Sequence, residues 1–103
     1  MDELEVKDYL VSGTTKSGIA YTIDTRVRKD SRFLHQLVRM QSKRLTEVER
    51  ADALFSLLGL IFGGDEGVML FENEVAIHHD GVCSTETLMA ELKDIFEALN
   101  LKN

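Results

Sequence analysis

The chain has 103 residues, of which 44% are hydrophobic and 29% are charged, and its formal net charge is −6. These values indicate one globular domain that buries roughly 65% of its unfolded surface. The single cysteine, Cys83, excludes an internal disulfide framework, and the acidic first eight residues show no signal-peptide pattern. We therefore expect residues 1–103 to form a single domain in a cytoplasmic, reducing compartment.

The charges are distributed unevenly along the chain. Residues 26–50 carry eight basic and three acidic side chains, whereas residues 51–103 carry ten acidic and two basic ones. The basic segment can be neutralised within the fold or between copies of it, or it can attract an anionic partner. Neutralisation is the favoured interpretation, because the acidic remainder of the surface would repel a nucleic acid.

The first predicted element is a β-hairpin over residues 9–24. Residues 9–15 and 19–24 have strand-like alternation, and the turn between them contains Gly18, which adopts a positive φ without a steric penalty. The second strand places three large side chains on one face, namely Ile19, Tyr21 and Ile23. A lone hairpin is marginally stable in water, so this face must pack on helices or pair with another copy. A polar lead-in is expected at residues 3–7.

An amphipathic helix is predicted over about residues 30–42, with Asp30 or Ser31 as its N-terminal cap. Its apolar stripe consists of Phe33, Leu34, Leu37 and Val38, with Met40 at the edge. Its polar face consists of Arg32, His35, Gln36, Arg39 and Lys43. This spacing predicts that one side of the helix is buried and the other is solvated.

The most apolar stretch, Ala53–Phe62, falls in the second predicted helix, over about residues 47–62. Thr46 and Glu49 fit a capping box, and Gly63-Gly64 ends the helix. The expected core stripe consists of Val48, Ala51, Leu54, Phe55, Leu58, Ile61 and Phe62. Leu57 and Leu60 fall outside this stripe, so the helix is apolar nearly all round and is expected to be central in a small bundle. Ten residues are too few to cross a bilayer, which takes about 20, and no membrane partner is expected.

Two more helices complete the predicted fold. Residues 65–77 also have strand-like content, but Gly64-Asp65-Glu66 favours a helix start. After an Asp80-Gly81 turn, the last helix begins at Ser84 or Thr85, and its apolar stripe consists of Leu88, Leu92, Ile95, Phe96 and Leu99. Its acidic side chains are expected to be solvated, and the tail from Asn100 to fray. The predicted fold is α+β and mainly α, an N-terminal β-hairpin followed by a three- to four-helix bundle over residues 30–100.

No catalytic, metal or phosphate site is predicted. Zinc needs three or four converging ligands, and the one suitable cluster, His78-His79-Asp80 with Cys83, fits a polar turn better. Cys83 lacks an oxyanion hole, and the glycine-rich loop over residues 63–67 is acidic and would repel phosphate. We therefore expect a protein that is not an enzyme and that has no cofactor.

The sequence has more apolar side chains than one stripe per helix requires, and such an excess is typical of an interaction surface. The candidate partner-binding residues are Leu57, Leu60, Met69, Leu70 and Phe71. The candidate self-association residues are Arg28, Arg32, Arg39, Ile19 and Tyr21, since a basic first helix can meet the acidic last helix of a neighbour. The alternative is a small nucleic-acid-binding regulator that uses the basic segment 26–44.

The order of these elements resembles the tail assembly chaperones of long-tailed bacteriophages that infect Gram-positive bacteria. The resemblance spans most of residues 12–100. It is carried by the Thr14–Gly18 turn, the Ile23-Asp24-x-Arg26 exit, Gly63-Gly64, the His79-Asp80-Gly81-x-x-Ser84 turn and the final helix from Met89 to Leu99. The first helix is more basic, and residues 65–77 are more apolar, than the resemblance leads one to expect.

The resemblance implies a small, mainly helical, non-enzymatic protein of the bacterial host cytoplasm. It implies that the protein keeps the tape-measure protein soluble during tail assembly and is absent from the mature virion. Apart from the resemblance, the hairpin edge can add strands between copies, and the basic first helix can meet an acidic last helix, so the sequence predicts a homo-oligomer. No partner-binding residue follows from a motif of the family.

Overall fold

A computed structural model describes residues 9–99 as a two-stranded antiparallel hairpin followed by four helices, and it confirms the predicted fold class. The elements are β1 (Leu10–Thr14), β2 (Ala20–Asp24), a 3₁₀ helix (Thr25–Lys29), α1 (Ser31–Gln41), α2 (Glu47–Phe62), α3 (Asp65–His78) and α4 (Thr85–Leu99). The predicted polar lead-in at residues 3–7 and the frayed tail from Asn100 lie outside the described residues.

The hairpin pairs β1 with β2 so that Thr14 lies opposite Ala20. Gly18 closes the turn with φ 97°, and its amide donates to the carbonyl oxygen of Thr15 at 2.9 Å. Three inward side chains are buried as predicted, namely Ile19, which directly precedes β2, and Tyr21 and Ile23 within it. Because the helices cover this face, the hairpin is stabilised within one chain.

The chain leaves the hairpin through the 3₁₀ helix, which the sequence did not predict. The Asp24 carboxylate accepts from the amide of Arg26 at 2.9 Å and pairs with its guanidinium at 2.6 Å. At the start of the following helix, Asp30 caps α1, since its carboxylate accepts a hydrogen bond from the amide of Arg32 at 2.9 Å. Both short acidic side chains thus satisfy amide donors that a helix start leaves free.

Only part of the predicted apolar stripe of α1 is buried. Phe33 is in the core, and Leu37 and Met40 are partly buried against it. Leu34 and Val38, however, are exposed to solvent. The prediction of a single buried stripe is therefore wrong for these two positions, because α1 contacts the remaining fold on a narrower side than its apolar residues cover.

Helix α2 is the central helix, as predicted, since it contacts α1, α3 and β2. Both bonds of the capping box form: the amide of Thr46 donates to Glu49 Oε1 at 2.8 Å, and the amide of Glu49 donates to Thr46 Oγ1 at 3.1 Å. The buried residues of α2 are Ala53, Leu54, Leu57, Leu58 and Ile61. The predicted stripe was misplaced in part, because Val48 and Phe55 are exposed whereas Leu57 is fully buried.

A sharp corner joins α2 to α3, and residues 65–78 are helical, as favoured from the sequence. Gly63 and Gly64 take φ values of 84° and 102°, which end α2, and the two helix axes differ in direction by 103°. The rings of Phe62 and Phe71 stack across this corner with centroids 4.4 Å apart. Their contact fixes the angle at which α3 leaves the bundle.

Helix α4 closes the core against the hairpin and the other helices. Ser84 caps it, since Ser84 Oγ accepts from the amide of Thr87 at 3.1 Å. Leu88, Leu92 and Ile95 are buried, and Phe96 packs against the same cluster. The core therefore unites the inner hairpin face with side chains from all four helices.

Candidate functional site

The five candidate partner-binding residues separate into buried and exposed groups. Leu57 and Phe71 are core residues and cannot contact a partner in this fold, while Leu60 is partly buried against the core. Met69 and Leu70 are 61% and 64% exposed. The expected surface is thus confined to α3, because the side of α2 that carries Leu57 is covered by the hairpin and neighbouring helices.

The outward side of α3 carries three large apolar side chains, Met69, Leu70 and Ile77, and we call this surface the α3 face. Ile77 is 69% exposed and was not singled out from the sequence. It follows Leu70 by seven residues and Met69 by eight, which places all three on one side of a helix with 3.6 residues per turn. That spacing was the signal that could have identified Ile77.

The α3 face lies on a helix whose opposite side is packed into the core. On its inner side α3 buries Val68, Phe71 and Val75 in the core. On its outer side the exposed Asn73 lies within the apolar face, and the exposed acidic side chains of Glu66 and Glu74 lie beside it. The α3 face is therefore an apolar strip with acidic neighbours on a helix that the core holds in place.

The five candidate self-association residues are also placed differently from one another. Ile19 and Tyr21 form part of the core and are not available to another copy. Arg28 is exposed, Arg32 pairs with Asp30 at 2.6 Å, and Arg39 contacts Asp52 at 3.6 Å and Gln36 at 2.9 Å. Of the two alternatives predicted for the hairpin face, packing on helices is the one found, so Ile19 and Tyr21 do not join copies in this fold.

The charge interactions of the basic segment include an ion pair between close neighbours in sequence, Asp30 and Arg32. Hydrogen bonds from the side chain and amide of Arg32 lower the pKa of Asp30 to about 2. The pair is solvent-exposed, and such surface pairs contribute little to stability. The arginines nevertheless leave α1 and its flanks strongly basic, because seven basic side chains and one acidic one lie in residues 26–44.

A buried carboxylate was missed from the sequence, where the acidic residues of α4 were expected to be solvated. Glu91 is 4% exposed and lies beneath the hairpin turn, where His79 Nε2 donates to its Oε2 at 2.8 Å. Burial acts to raise the pKa of Glu91, but the nearby Ser17 hydroxyl, the His79 ring and the Thr15 hydroxyl outweigh it and lower that pKa. The other carboxylate oxygen is buried and makes no hydrogen bond of good geometry within residues 9–99.

The side chains around Glu91 form contacts between separate elements of the fold. They connect the end of α3, the hairpin turn and α4, and a shallow depression of about 360 Å³ beside them is lined by charged side chains, among them Lys16, Asp94 and Glu97. The amide of Lys16 donates to Asp94 at 2.7 Å. This hydrogen bond holds the turn of the hairpin on α4, and the His79–Glu91 contact holds the end of α3 on the same helix.

Replacing His79 by alanine should lower the free energy of unfolding by about 1–3 kcal/mol, because the buried Glu91 carboxylate loses its hydrogen-bond donor. Replacing the adjacent His78, which is exposed and whose Nδ1 hydrogen-bonds the Glu74 carbonyl oxygen of its own helix, should change it by less than about 0.5 kcal/mol. Urea unfolding of both variants at neutral pH checks this difference. Equal effects of the two substitutions would contradict it.

The buried carboxylate of Glu91 should also make a contribution to stability that is lost in acid. The pKa of Glu91 is lower in the folded chain than its ordinary 4.5, so its ionised form stabilises the fold above pH 4.5 and this stabilisation is lost as the pH falls through the folded value. In His79→Ala the pKa of Glu91 should rise, which moves the loss to higher pH. Unfolding measured from pH 7 to acid checks the shift, and a parallel pH profile of the two proteins would oppose it.

The remaining residues with metal-binding or nucleophilic chemistry are not assembled into a site. Within residues 9–99 no group of three or more His, Cys, Asp and Glu side chains could hold a metal ion. Cys83 is half-buried against the core, and burial together with the nearby Glu72 raises the pKa of its thiol. A raised pKa leaves less thiolate, the nucleophilic form, at neutral pH.

Within residues 9–99 no single helix is both long and apolar enough to cross a bilayer, and only α2 and α3 taken together have the length and composition, with a bend of 103° between them. No protein-family model, curated protein or solved structure matches the chain.

Proposed function

We propose that this protein is a non-enzymatic chaperone that covers an apolar segment of a client through the α3 face. The proposed client is the tape-measure protein of a long-tailed bacteriophage, held soluble in the host cytoplasm while the tail assembles. The resemblance described above supplies the identity of the client, and the α3 face supplies the physical means of binding it. The chaperone itself would be absent from the finished virion.

The α3 face is the observation that carries this proposal. Met69 and Leu70 are neighbours, and Ile77 lies two turns further along the same side of α3; each leaves most of its side chain in water. Fully burying a side chain of this size stabilises a complex by about 1.5–3 kcal/mol relative to leaving it exposed. A client that covers all three gains enough to offset part of the cost of ordering its own segment.

The side chains of the α3 face suit a client with variable sequence. Met69 is unbranched and polarizable, so it adapts to different apolar surfaces. Glu66 and Glu74, beside the face, favour a client helix that carries basic residues next to its apolar ones.

Replacing Leu70 and Ile77 together by serine should weaken client binding by at least about tenfold, because two largely exposed contacts are lost. Co-expression with the tape-measure protein, followed by measurement of the soluble client fraction and of affinity for the purified complex, checks this. The matched control replaces Val48 and Val82, two exposed valines away from α3, by serine. Its binding and solubility should equal those of the unmodified protein.

Two results would oppose the proposal. One is a client that precipitates equally in the presence and absence of the unmodified chain. The other is an equal loss of binding in the α3 variant and in the valine control, which would place the contact elsewhere. The thermal midpoints of both variants are measured alongside, since exposed substitutions should leave the fold intact.

A further inference from the structure

An apolar groove separates α1 from α4 on the side of the molecule formed by these two helices. It has a volume of about 420 Å³, and its apolar walls are Leu37 and Met40 from α1 and Met89, Leu92 and Phe96 from α4. Phe96 also meets Phe33 edge to face, with ring centroids 5.8 Å apart, so the groove lies directly over the core. Its composition contrasts with the charged depression near Glu91.

The α1 wall of the groove continues outward into exposed apolar surface. Leu34 and Val38 are 49% and 67% exposed and are one helical turn apart. They follow Leu37 around the helix, so groove and exposed pair form one continuous apolar strip. Arg32 and Arg39 lie about 100° or more around α1 from both Leu34 and Val38, outside this strip.

The charges at this strip are complementary between its two helices. Residues 26–44, which include α1, carry seven basic side chains and one acidic one. Helix α4 carries four acidic side chains and one basic one, and of these the acidic Glu86 and Glu97 and the basic Lys93 line the groove, which leaves its rim net acidic. A helix that enters the groove therefore meets apolar walls with acidic side chains beside them, which fits a helix that is apolar along one side and basic around it.

We propose that the occupant of the groove is α1 of a second copy of this chain, in a symmetric dimer. Leu34 and Val38 of each copy enter the groove of the other. The exposed basic residues that flank α1, Arg28 and Lys29 before it and Lys43 and Arg44 after it, face the acidic α4 of the partner. A twofold interface requires one surface to supply both the inserted helix and the receiving groove, and α1 does both here. Arg32 and Arg39 point away from this contact, so the twofold axis does not place the arginines of the two copies next to each other.

This interface does not depend on the proposed chaperone function, since it uses α1 and α4 whereas the client is assigned to α3. Oligomer formation and client binding can therefore fail separately. The dimer leaves the α3 face of each copy free, so that one assembly presents two client surfaces. Two linked surfaces raise the apparent affinity for a long client that spans both.

Replacing Val38 by glutamate should raise the dimer dissociation constant at least about tenfold, because a charge is placed in an apolar contact beside acidic groove residues. Sedimentation velocity from low to high micromolar concentration, in low salt, should show the unmodified chain at twice its mass of 11.6 kDa. The matched control is Ile77→Glu, since Ile77 is 69% exposed on α3 and Val38 is 67% exposed on α1. Ile77→Glu should remain a dimer and lose the client, whereas Val38→Glu should become a monomer that still binds it.

A second pair of variants tests the charge argument. Replacing Glu86 and Glu97 together by lysine should weaken the dimer, because the groove then repels the basic segment of the partner. The proposal is overturned if the unmodified chain stays a monomer at all concentrations, if Val38→Glu associates as well as the unmodified chain, or if the double lysine variant associates equally or more tightly. Circular dichroism of each variant confirms that the fold is retained.

Discussion

Replacing Leu57 by alanine should lower the free energy of unfolding by about 2–5 kcal/mol, one of the two largest effects expected in this chain. Leu57 is 0% exposed and belongs to the core that joins the hairpin to the helices. Truncation removes apolar contacts and leaves a cavity, since side chains from several elements surround the site and relax only in part. Urea unfolding and the thermal midpoint check this, and the midpoint should fall by about 10 °C or more.

Val48→Ala is the control for this loss, because it removes apolar atoms from an exposed position of the same helix. Its effect should remain within about 0.5 kcal/mol. The comparison also decides between two roles for Leu57. If Leu57→Ala keeps the free energy of unfolding of the unmodified chain but no longer binds the client, Leu57 contacts the client, as predicted from the sequence. Its role in the core would then not explain the loss of binding.

The sequence predicted the helix ends of this fold well, because those signals are local. Thr46 and Glu49 form their reciprocal bonds within four residues, and Gly63 ends α2 with a left-handed backbone conformation. The ambiguous residues 65–77 are helical, as their start signal favoured. Each of these features depends on the chemistry of neighbouring residues, which a single sequence displays directly.

The sequence could not predict which side of α2 is buried. The helix is apolar nearly all round, so several stripes satisfy the helical period equally well, and the choice among them depends on where α1, α3 and β2 pack. Leu57 was consequently assigned to the surface, and Val48 and Phe55 to the core. Periodicity identifies a buried side only when polar residues mark the opposite one.

The candidate surfaces were only partly predictable for a related reason. Met69 and Leu70 were selected as excess apolar residues, and their exposure agrees with that reasoning. Phe71 is their neighbour in sequence but lies about 100° further round the helix, inside the core. The contact between His79 and Glu91 joins residues twelve positions apart through the packing of α3 on α4, and no local pattern encodes it.

Replacing Gly67 by alanine should destabilise the fold by at least about 2 kcal/mol, although alanine is the better helix former. A Cβ atom on Gly67 would overlap the backbone carbonyl oxygen of Phe62 at the end of α2. No change of rotamer relieves this overlap, because the obstructing atom belongs to the main chain. The 103° corner would have to open, which would separate the stacked rings of Phe62 and Phe71 and move the α3 face.

Gly59→Ala provides a control with the same chemical change and the opposite expected sign. Nothing lies within 4 Å of a Cβ placed at Gly59 in the middle of α2, so alanine should stabilise the protein by about 0.5–1 kcal/mol. Urea unfolding of the two variants should place them on opposite sides of the unmodified chain. Equal stability of Gly67→Ala and Gly59→Ala would show that the corner adapts to a side chain. A flexible corner would in turn remove the fixed presentation of Met69 and Leu70 on which client binding through α3 depends.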